Sequence, residues 1–312
     1  MCGFLVVGSS ELELQVFNDA LNQAAYRGPD HQHVSINNGI TWGFNRLSIM
    51  DLSSKGNQPF VYKDCVLVCN GEVYNYHSLK AMLETDYTFK SGSDCEVLIP
   101  LYHKYGIEIL CKFLDAEFAM VIYDAKKDKI LAARDPMGIR PMFYGYHKED
   151  GKICFASEAK GLFPLCQEIM PFPPGHYYED GKFICYNDLS NPKTINNDDL
   201  ETIATNLRLK LEKAVKKRLQ SDAPIGYLLS GGLDSSLVCA IAARLNDQPI
   251  KTFAIGMDTD PIDLKYAKQV ADYLGTDHTE VIMTKEDLLE NLRDVIFHLE
   301  TYDITTIRAS MA

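Results

Sequence analysis

No apolar run in the 312 residues approaches the ~18 needed to span a membrane. No basic, apolar leader opens the chain, so no export signal is expected. Positive charge is in deficit: 31 Lys and Arg stand against 43 Asp and Glu, a formal net charge of −12. That argues against a nucleic-acid or anionic-membrane partner. It leaves room for a phosphorylated small molecule, which loop amides bind locally. Nine cysteines fall at irregular spacings without a paired metal-ligand pattern. Cys65, Cys69, Cys95, Cys111, Cys154, Cys166, Cys185 and Cys239 are read as core or surface thiols, and reduced thiols fit a cytoplasmic protein. Internal repeats, low-complexity segments and the Gly-Lys-Ser/Thr of a Walker loop are also missing. What remains is an ordinary globular composition, 46% hydrophobic and 24% charged, with length for about two domains.

Among the residues present, Cys2 is the most informative. Removal of Met1 puts a thiol and a free α-amine on one residue. The amine, substantially neutral near pH 7 with a reference pKa of ~8, can take the thiol's proton directly or through water. The thiolate is then an activated nucleophile, and no catalytic histidine is required. A small buried cysteine that happens to lie early is the plain alternative.

Residues 3–8 read as a buried strand and 11–26 as an amphipathic helix stopped by Gly28-Pro29. A hairpin follows over Asn37-Asn38-Gly39, then strands at 60–62 and 66–68 and helices near 77–85 and 94–105. Strands 118–123 and 129–133 form another hairpin, and Asp150-Gly151 and Asp180-Gly181 mark two more turns. Residues 2–186 are therefore strand-rich α+β, and 187–199 are a polar linker. From 200 to 312 the pattern becomes a long helix and then alternating strand and helix, the signature of a parallel sheet with right-handed crossovers.

Four segments in the first half suit a small amino acid beside a thiol. Arg46-Leu47-Ser48-Ile49-Met50 offers a guanidinium for a carboxylate in bidentate geometry. Asn70-Gly71-Glu72, expected to follow a strand at 66–69, offers a side-chain amide and an approachable backbone N–H, the donors of an oxyanion hole. Ser91-Gly92-Ser93-Asp94 brings a carboxylate to a helix start, within reach of an ammonium group, and Arg27-Gly28-Pro29-Asp30 reads as a turn with a charge pair. Singly, Asp94 serves as well for an N-cap, Asn70-Gly71 for a hairpin turn and Arg46 for a surface cation.

In this order after an N-terminal Cys-Gly, the segments resemble the glutamine-hydrolysing domain of class II glutamine amidotransferases. The resemblance runs from Cys2 to about residue 186. It includes Asn70-Gly71-Glu72-Val73-Tyr74-Asn75, Asp115-Ala116-Glu117-Phe118-Ala119 and Arg134-Asp135-Pro136-Met137-Gly138-Ile139-Arg140-Pro141. It implies an α+β N-terminal-nucleophile hydrolase fold, with stacked antiparallel sheets between helix layers. It implies that Cys2 attacks the glutamine side-chain amide and that Asn70 and the Gly71 amide hold the oxyanion. Arg46, with Leu47, Ser48, Ile49 and Met50 around it, takes the α-carboxylate, and Asp94 with Glu72 takes the α-ammonium.

The second half opens on Leu229-Ser230-Gly231-Gly232-Leu233-Asp234-Ser235-Ser236 at a strand-to-helix turn. Ser230 to Ser235 can aim amides and hydroxyls at a pyrophosphate, Gly231 and Gly232 clear the path, and the helix adds its positive end. Asp234 can hold Mg²⁺ through the phosphates. The segment resembles the PP-loop of ATP pyrophosphatases, which implies ATP as ligand and adenosine contacts at Leu229 and Ile255. Domain order, together with Glu300-Thr301-Tyr302-Asp303-Ile304-Thr305-Thr306-Ile307-Arg308, resembles the glutamine-dependent asparagine synthetases. That family implies glutamine, ATP and aspartate as substrates. No second Gly/Ser-rich acidic loop follows, so the α/β PP-loop domain is expected to be incomplete, with apolar sheet surface left open to a second copy or a second chain. A stand-alone glutaminase and a non-catalytic docking subunit are the competing expectations.

Overall fold

The computed structural model describes residues 1–9, 12–192, 194–259 and 261–311, the side chain of Arg308 excepted. Glu11 in the expected first helix, Lys193 in the expected linker and Ala312 at the end of the expected second domain lie outside the described residues. The chain divides into two compact units, Met1–Ile195 and Asn196–Ala312.

Period-two alternation builds the first unit. Strand β1 (Gly3–Val7) sends Phe4 and Val6 to one side and Leu5 and Val7 to the other, and every one of them is buried. A strand apolar on both faces must lie between two layers. Helix α1 (Leu14–Asn22) covers the Leu5 side with Phe17, Ala20 and Leu21. Strands β2 (His31–Asn37) and β3 (Ile40–Arg46) form the expected hairpin, and β3 pairs antiparallel with β1. A short β4 (Phe60–Tyr62) precedes the long β5 (Cys65–Val73), and helices α2 (Tyr76–Leu83) and α3 (Leu98–Phe113) follow. Then come β6 (Ala116–Asp124), β7 (Lys129–Arg134), β8 (Phe143–His147), β9 (Ile153–Ala156), β10 (Cys166–Pro171), β11 (His176–Glu179) and β12 (Lys182–Cys185).

These strands make two six-stranded antiparallel sheets, ordered β10-β8-β9-β1-β3-β2 and β12-β11-β7-β6-β5-β4. Val66, Val68, Ala119 and Val121 face the first sheet and share a core with Phe4, Trp42 and Phe155. Leu67, Met120 and Ile122 face the opposite way and pack under α2 and α3, with Leu83, Leu98 and Leu110. The layers are thus helix, sheet, sheet, helix. Each buried Leu or Phe contributes about 1.5–3 kcal/mol.

Three local expectations are corrected. The first helix ends at Asn22, and a 3-10 turn, Ala25–Arg27, carries the chain on to Gly28. Asn70-Gly71-Glu72 lies inside β5 rather than after it, because the β5–β6 ladder continues to Val73 opposite Ala116. Arg27 makes its ion pair with Glu158, at 2.9 Å, while the Asp30 carboxylate accepts from the Ser48 N–H at 2.6 Å.

The second unit has α4 (Leu200–Arg218), β13 (Gly226–Leu228), α5 (Leu233–Leu245), β14 (Lys251–Met257), α6 (Ile262–Leu274), β15 (Asp277–Met283), α7 (Lys285–Leu299) and α8 (Ile304–Ser310). Its three strands are parallel, in the order β13-β14-β15. One side packs Ala254 with Cys239, Ile241, Leu264 and Ala267. The other leaves Leu228, Phe253 and Val281 exposed, Leu228 by 83%. Parallel sheets are ordinarily covered on both faces.

The turn between the 3-10 helix and β2 is unusually tight. A Cβ on Gly28 would run into the backbone of Asn45 and Arg46 at the end of β3. Gly28→Ala should therefore cost about 2–3 kcal/mol, because backbone rather than a flexible side chain has to move. An unchanged denaturation midpoint would show that the end of β3 yields freely.

Candidate active site

The free edge of β5 organises the site. Strand β4 pairs only with Cys65, Val66 and Leu67, so the far half of β5 has a ladder partner on one side alone. On the open side, Gln58 takes the place of a strand: its amide accepts from the Cys69 N–H at 2.6 Å and donates to the Cys69 carbonyl at 3.0 Å. Two pairs of residues further on, the Val73 N–H donates to Asp94 Oδ2 at 2.6 Å. Backbone groups alternate along a strand, so the Gly71 N–H points into the gap between these two braces. Gly71 has no room for a side chain: a Cβ would lie 2.5 Å from the Glu117 carbonyl and 2.8 Å from Phe118 Cβ.

Cys2, Arg46, Leu47, Ile49, Met50, Gly71, Glu72 and Asp94 meet in the wall of one cavity of about 30 Å³. Ser48 is held away by Asp30, and Asn70 lies behind the wall. Gly56, Gln58, Cys69, Ser93 and Cys95 complete the lining. None of these five stood out in the sequence. Only Ser93 sat in a singled-out segment, and the others carry no local signal beyond polar or small residues near a turn.

The Cys2 sulfur is bracketed by Leu47, whose N–H donates to it at 3.4 Å while its carbonyl lies 3.5 Å away. Burial pushes the thiol's pKa up, and the Leu47 N–H and the chain's amino terminus pull it down. Arg27 Nε holds the Cys2 carbonyl at 2.9 Å, fixing the residue's backbone. Asn70 is 1% exposed, yet its Nδ2 is buried without a hydrogen-bond partner. A buried unmade donor is costly, ~1–3 kcal/mol, and calls for an acceptor from elsewhere.

Two carboxyls share the cavity. Burial, then Asp94, pushes the Glu72 pKa up, with Arg140 opposing the rise. Burial also raises Asp94, against the pull of the Val73 N–H. A cation placed between them would relieve both.

Arg46 departs from expectation. It is buried, and its four terminal N–H groups are already taken: Nη1 donates to the Ser53 carbonyl and Asn57 Oδ1, both at 2.7 Å, and Nη2 to the carbonyls of Met50, at 3.3 Å, and Asp51. Gly56 packs against the guanidinium so closely that a Cβ would strike Nη2. The sequence offered Arg46 as a free bidentate cation, but here it is the peg around which residues 47–57 fold. A cavity of this size holds about two waters by the ~10–15 Å³ each requires.

In the second unit, Gly231 takes a left-handed φ of 76° where a Cβ would hit the backbone of Tyr266 and Ala267. Gly232 begins α5 without a side-chain cap. Ser235 Oγ reaches both the Ser230 N–H and the Gly232 carbonyl at 3.3 Å, and the Ser236 hydroxyl is buried without a partner. Asp234 is exposed at the helix start. The Leu229 side chain is buried in the unit's core, so only its backbone can face a ligand, and Ile255 lies on the opposite face of the sheet, half-buried.

Comparison with known proteins agrees with this geometry. Residues 1–175 match the family model described as glutamine amidotransferase domain, and residues 206–312 match the one described as asparagine synthase. The chain belongs to the glutamine amidotransferase domain family, and its stacked antiparallel sheets are the N-terminal-nucleophile hydrolase fold. It is 41% identical to a probable asparagine synthetase [glutamine-hydrolyzing] of Schizosaccharomyces pombe over 99% of this chain and 60% of that one. It is 42% identical to asparagine synthetase B [glutamine-hydrolyzing] of Escherichia coli over 91% of this chain and 54% of that one. The chain thus spans little more than half the length of these relatives. In fold it is similar to a solved allosteric regulatory enzyme of purine biosynthesis, with a TM-score of 0.51 at 15% identity over 91% of this chain and 80% of that one.

Two measurements follow from the site. Arg46→Ala should lower the denaturation midpoint, since four acceptors in residues 50–57 lose a charged donor worth about 1.5–3 kcal/mol for the stronger bonds. An unmoved midpoint would free Arg46 from its structural part. The raised carboxyls predict a pH signature. Their penalty is absent where the unfolded carboxyls are also protonated, below about pH 4, grows as pH rises from there toward the raised folded values, and levels off above them. Glu72→Gln should therefore stabilise the protein at pH 8, by on the order of 1 kcal/mol, and do little at pH 4. Equal effects at the two pH values would remove the buried-carboxylate account.

Proposed function

We propose that the first unit releases ammonia from glutamine and that the second uses it to make asparagine. The observation that carries the first step is the Cys2 sulfur in one cavity wall with Gly71, next in sequence to an Asn70 whose Nδ2 is buried and unpartnered. With Met1 removed, the Cys2 amine takes the thiol's proton and the sulfur attacks the side-chain carbonyl carbon of glutamine. The carbonyl oxygen becomes an oxyanion held by Asn70 and Gly71. The amine returns the proton to the leaving nitrogen, ammonia departs, and a thioester remains. Water adds to that thioester by the same route, releasing glutamate and the Cys2 thiol.

The substrate's α-ammonium sits between Glu72 and Asp94, the two carboxyls that burial leaves in want of a cation. Its α-carboxylate takes the Arg46 fork from the Met50 and Asp51 carbonyls as residues 47–57 swing outward, which enlarges the cavity. Leu47, Ser48, Ile49 and Met50 move with that loop.

In the second unit, the turn at Ser230, Gly231, Gly232 and Ser235 cradles the phosphates of ATP. Asp234 is the carboxylate available to a Mg²⁺ that accompanies them, a charge that would offset the phosphates. Aspartate is adenylated and ammonia displaces AMP, so that ATP yields AMP and pyrophosphate. The names of the curated relatives and the match over 206–312 support this assignment. The exposed apolar face of the parallel sheet needs a covering layer, from further polypeptide or a second copy, for this step. The setting is the cytoplasm.

The active protein should begin at Cys2, which intact-mass measurement reads directly, and Cys2→Ala should reduce glutamate release to background. Activity in protein that retains Met1, or substantial activity in the alanine variant, would refute the N-terminal mechanism.

A further inference from the structure

Glu72 and Glu117 are directly opposite one another in the β5–β6 ladder. Both project toward the space between the sheets, as Asn70, Val68 and Ala119 do by the same alternation. Like charges at facing positions destabilise a sheet, and Glu72 of this pair lines the Cys2 cavity. The neutralising group comes from elsewhere in the chain. Arg140 is buried, and its Nη2 donates to Glu117 Oε1 at 2.8 Å, while its Nε is buried without an acceptor.

The segment that delivers Arg140 is built for rigidity. Asp135 accepts from the N–H groups of Met137 and Ile139 at 3.0 Å and of Arg140 at 3.1 Å. It also accepts from the Phe118 N–H of β6 at 3.3 Å, next to Glu117. Arg134 closes the loop from the other side, with Nε on the Arg140 carbonyl at 2.7 Å and Nη2 on the Gly138 carbonyl at 2.8 Å. The Arg140 backbone is therefore fixed to the same strand that carries its partner.

We infer that Arg140 is a positioning residue for the ammonium end of the glutamine site: by pairing with Glu117 it leaves the facing Glu72 able to give up its proton as the substrate's ammonium arrives. The inference rests on the proposed glutamine hydrolysis. Without Arg140, Glu117 and Glu72 oppose each other unneutralised, and one of them takes a proton. The charged groups acting on Glu72 are Asp94 from another 3-10 turn, Asp94–Val97, Glu117 from β6, Arg140 from the Asp135 loop and the chain's amino terminus. Two are acids, so Arg140 is the fixed side-chain cation in this set.

The test uses the full chain with Met1 removed. Arg140→Met keeps the length and apolar stem and removes the charge. The KM for glutamine at pH 7 should rise at least about tenfold, as for loss of a charge-assisted contact. The kcat at saturating glutamine should stay within about threefold, because the Cys2 chemistry is untouched. The KM defect should shrink toward pH 9, where Glu72 ionises regardless, and Arg140→Lys should restore most of the affinity. A second reading needs no substrate. The midpoint deficit of Arg140→Met should widen from pH 5.5 to pH 8, and adding Glu117→Gln should narrow it. A pH-independent deficit, or a KM equal to wild type, overturns the inference. If Arg140→Met does not fold, the Lys variant and the double variant decide by the same profiles. Absence of glutamine hydrolysis in the unmodified chain would sink the functional reading instead, leaving the midpoint profiles to judge Arg140.

Discussion

The open edge of β5 is the constraint on which the first unit's chemistry depends. A strand inside a sheet spends its N–H groups on two neighbours. Here β4 stops after three residues, and the remaining amides on that side must be satisfied one at a time. Gln58 serves Cys69 and Asp94 serves Val73, which leaves the Gly71 N–H facing the cavity between them. The braces do more than fill valences. Asp94 is brought to the pocket by the same bond that ends the strand, so one contact supplies both a structural cap and a substrate-facing carboxylate. The glycine is forced twice over, by the backbone of β6 pressing on one side and by the need for an unobstructed amide on the other.

Electrostatics reinforce that geometry. Glu72, Asp94 and Glu117 crowd one end of the sandwich, and two of them are harder to ionise than they would be in water. Such a cluster weakens the fold at the pH where it works, a pattern common at sites that must bind charge. The compensation is local and of two kinds. Arg140 is a permanent counter-charge tied to β6, and a substrate ammonium is a temporary one. The unpaired Asn70 amide belongs to the same accounting: it is a buried donor left unmade beside the cluster, and under the proposed reaction its acceptor is the oxyanion.

Much of this was legible in the sequence. The apolar run at 3–8 announced a buried strand, and the shift after residue 200 to strand-helix alternation announced the parallel sheet. Helices 262–274 and 285–299 of that alternation have local end signals, Gly275 closing the first and Thr284 capping the second. Cys2, Gly71, Glu72 and Asp94 were singled out together, by the order of their segments after an N-terminal Cys-Gly, and the structure brings them into the wall of one cavity. What was not legible depended on distant partners. Asn70-Gly71 looked like the end of a strand, since a glycine there breaks local propensity, and only β6 shows that the ladder runs through it. Gln58 is an unremarkable glutamine until its amide is seen standing in for a missing strand. The partners of Arg27 and Arg140, Glu158 and Glu117, are 131 and 23 residues away, beyond any local pattern.

Arg46 shows how far residue type alone can carry a reading. The sequence assigned its fork to a substrate carboxylate, and the structure finds it occupied by carbonyls of its own loop. The two statements are compatible if binding is an exchange. A carboxylate opposes the guanidinium charge and takes its fork with two parallel bonds, which a pair of separate neutral carbonyls does not, so a ligand that offers two anionic oxygens can compete with Met50 and Asp51. The displaced segment is also what narrows the cavity. Occupancy of Arg46 by substrate and opening of residues 47–57 are then a single event, and the measured affinity is lower than the intrinsic one by the fraction of time the loop is open. The empty site is closed around the Cys2 thiol with the Arg46 fork satisfied by its own loop, while Asn70 Nδ2 is left without a partner and the two carboxyls stay raised.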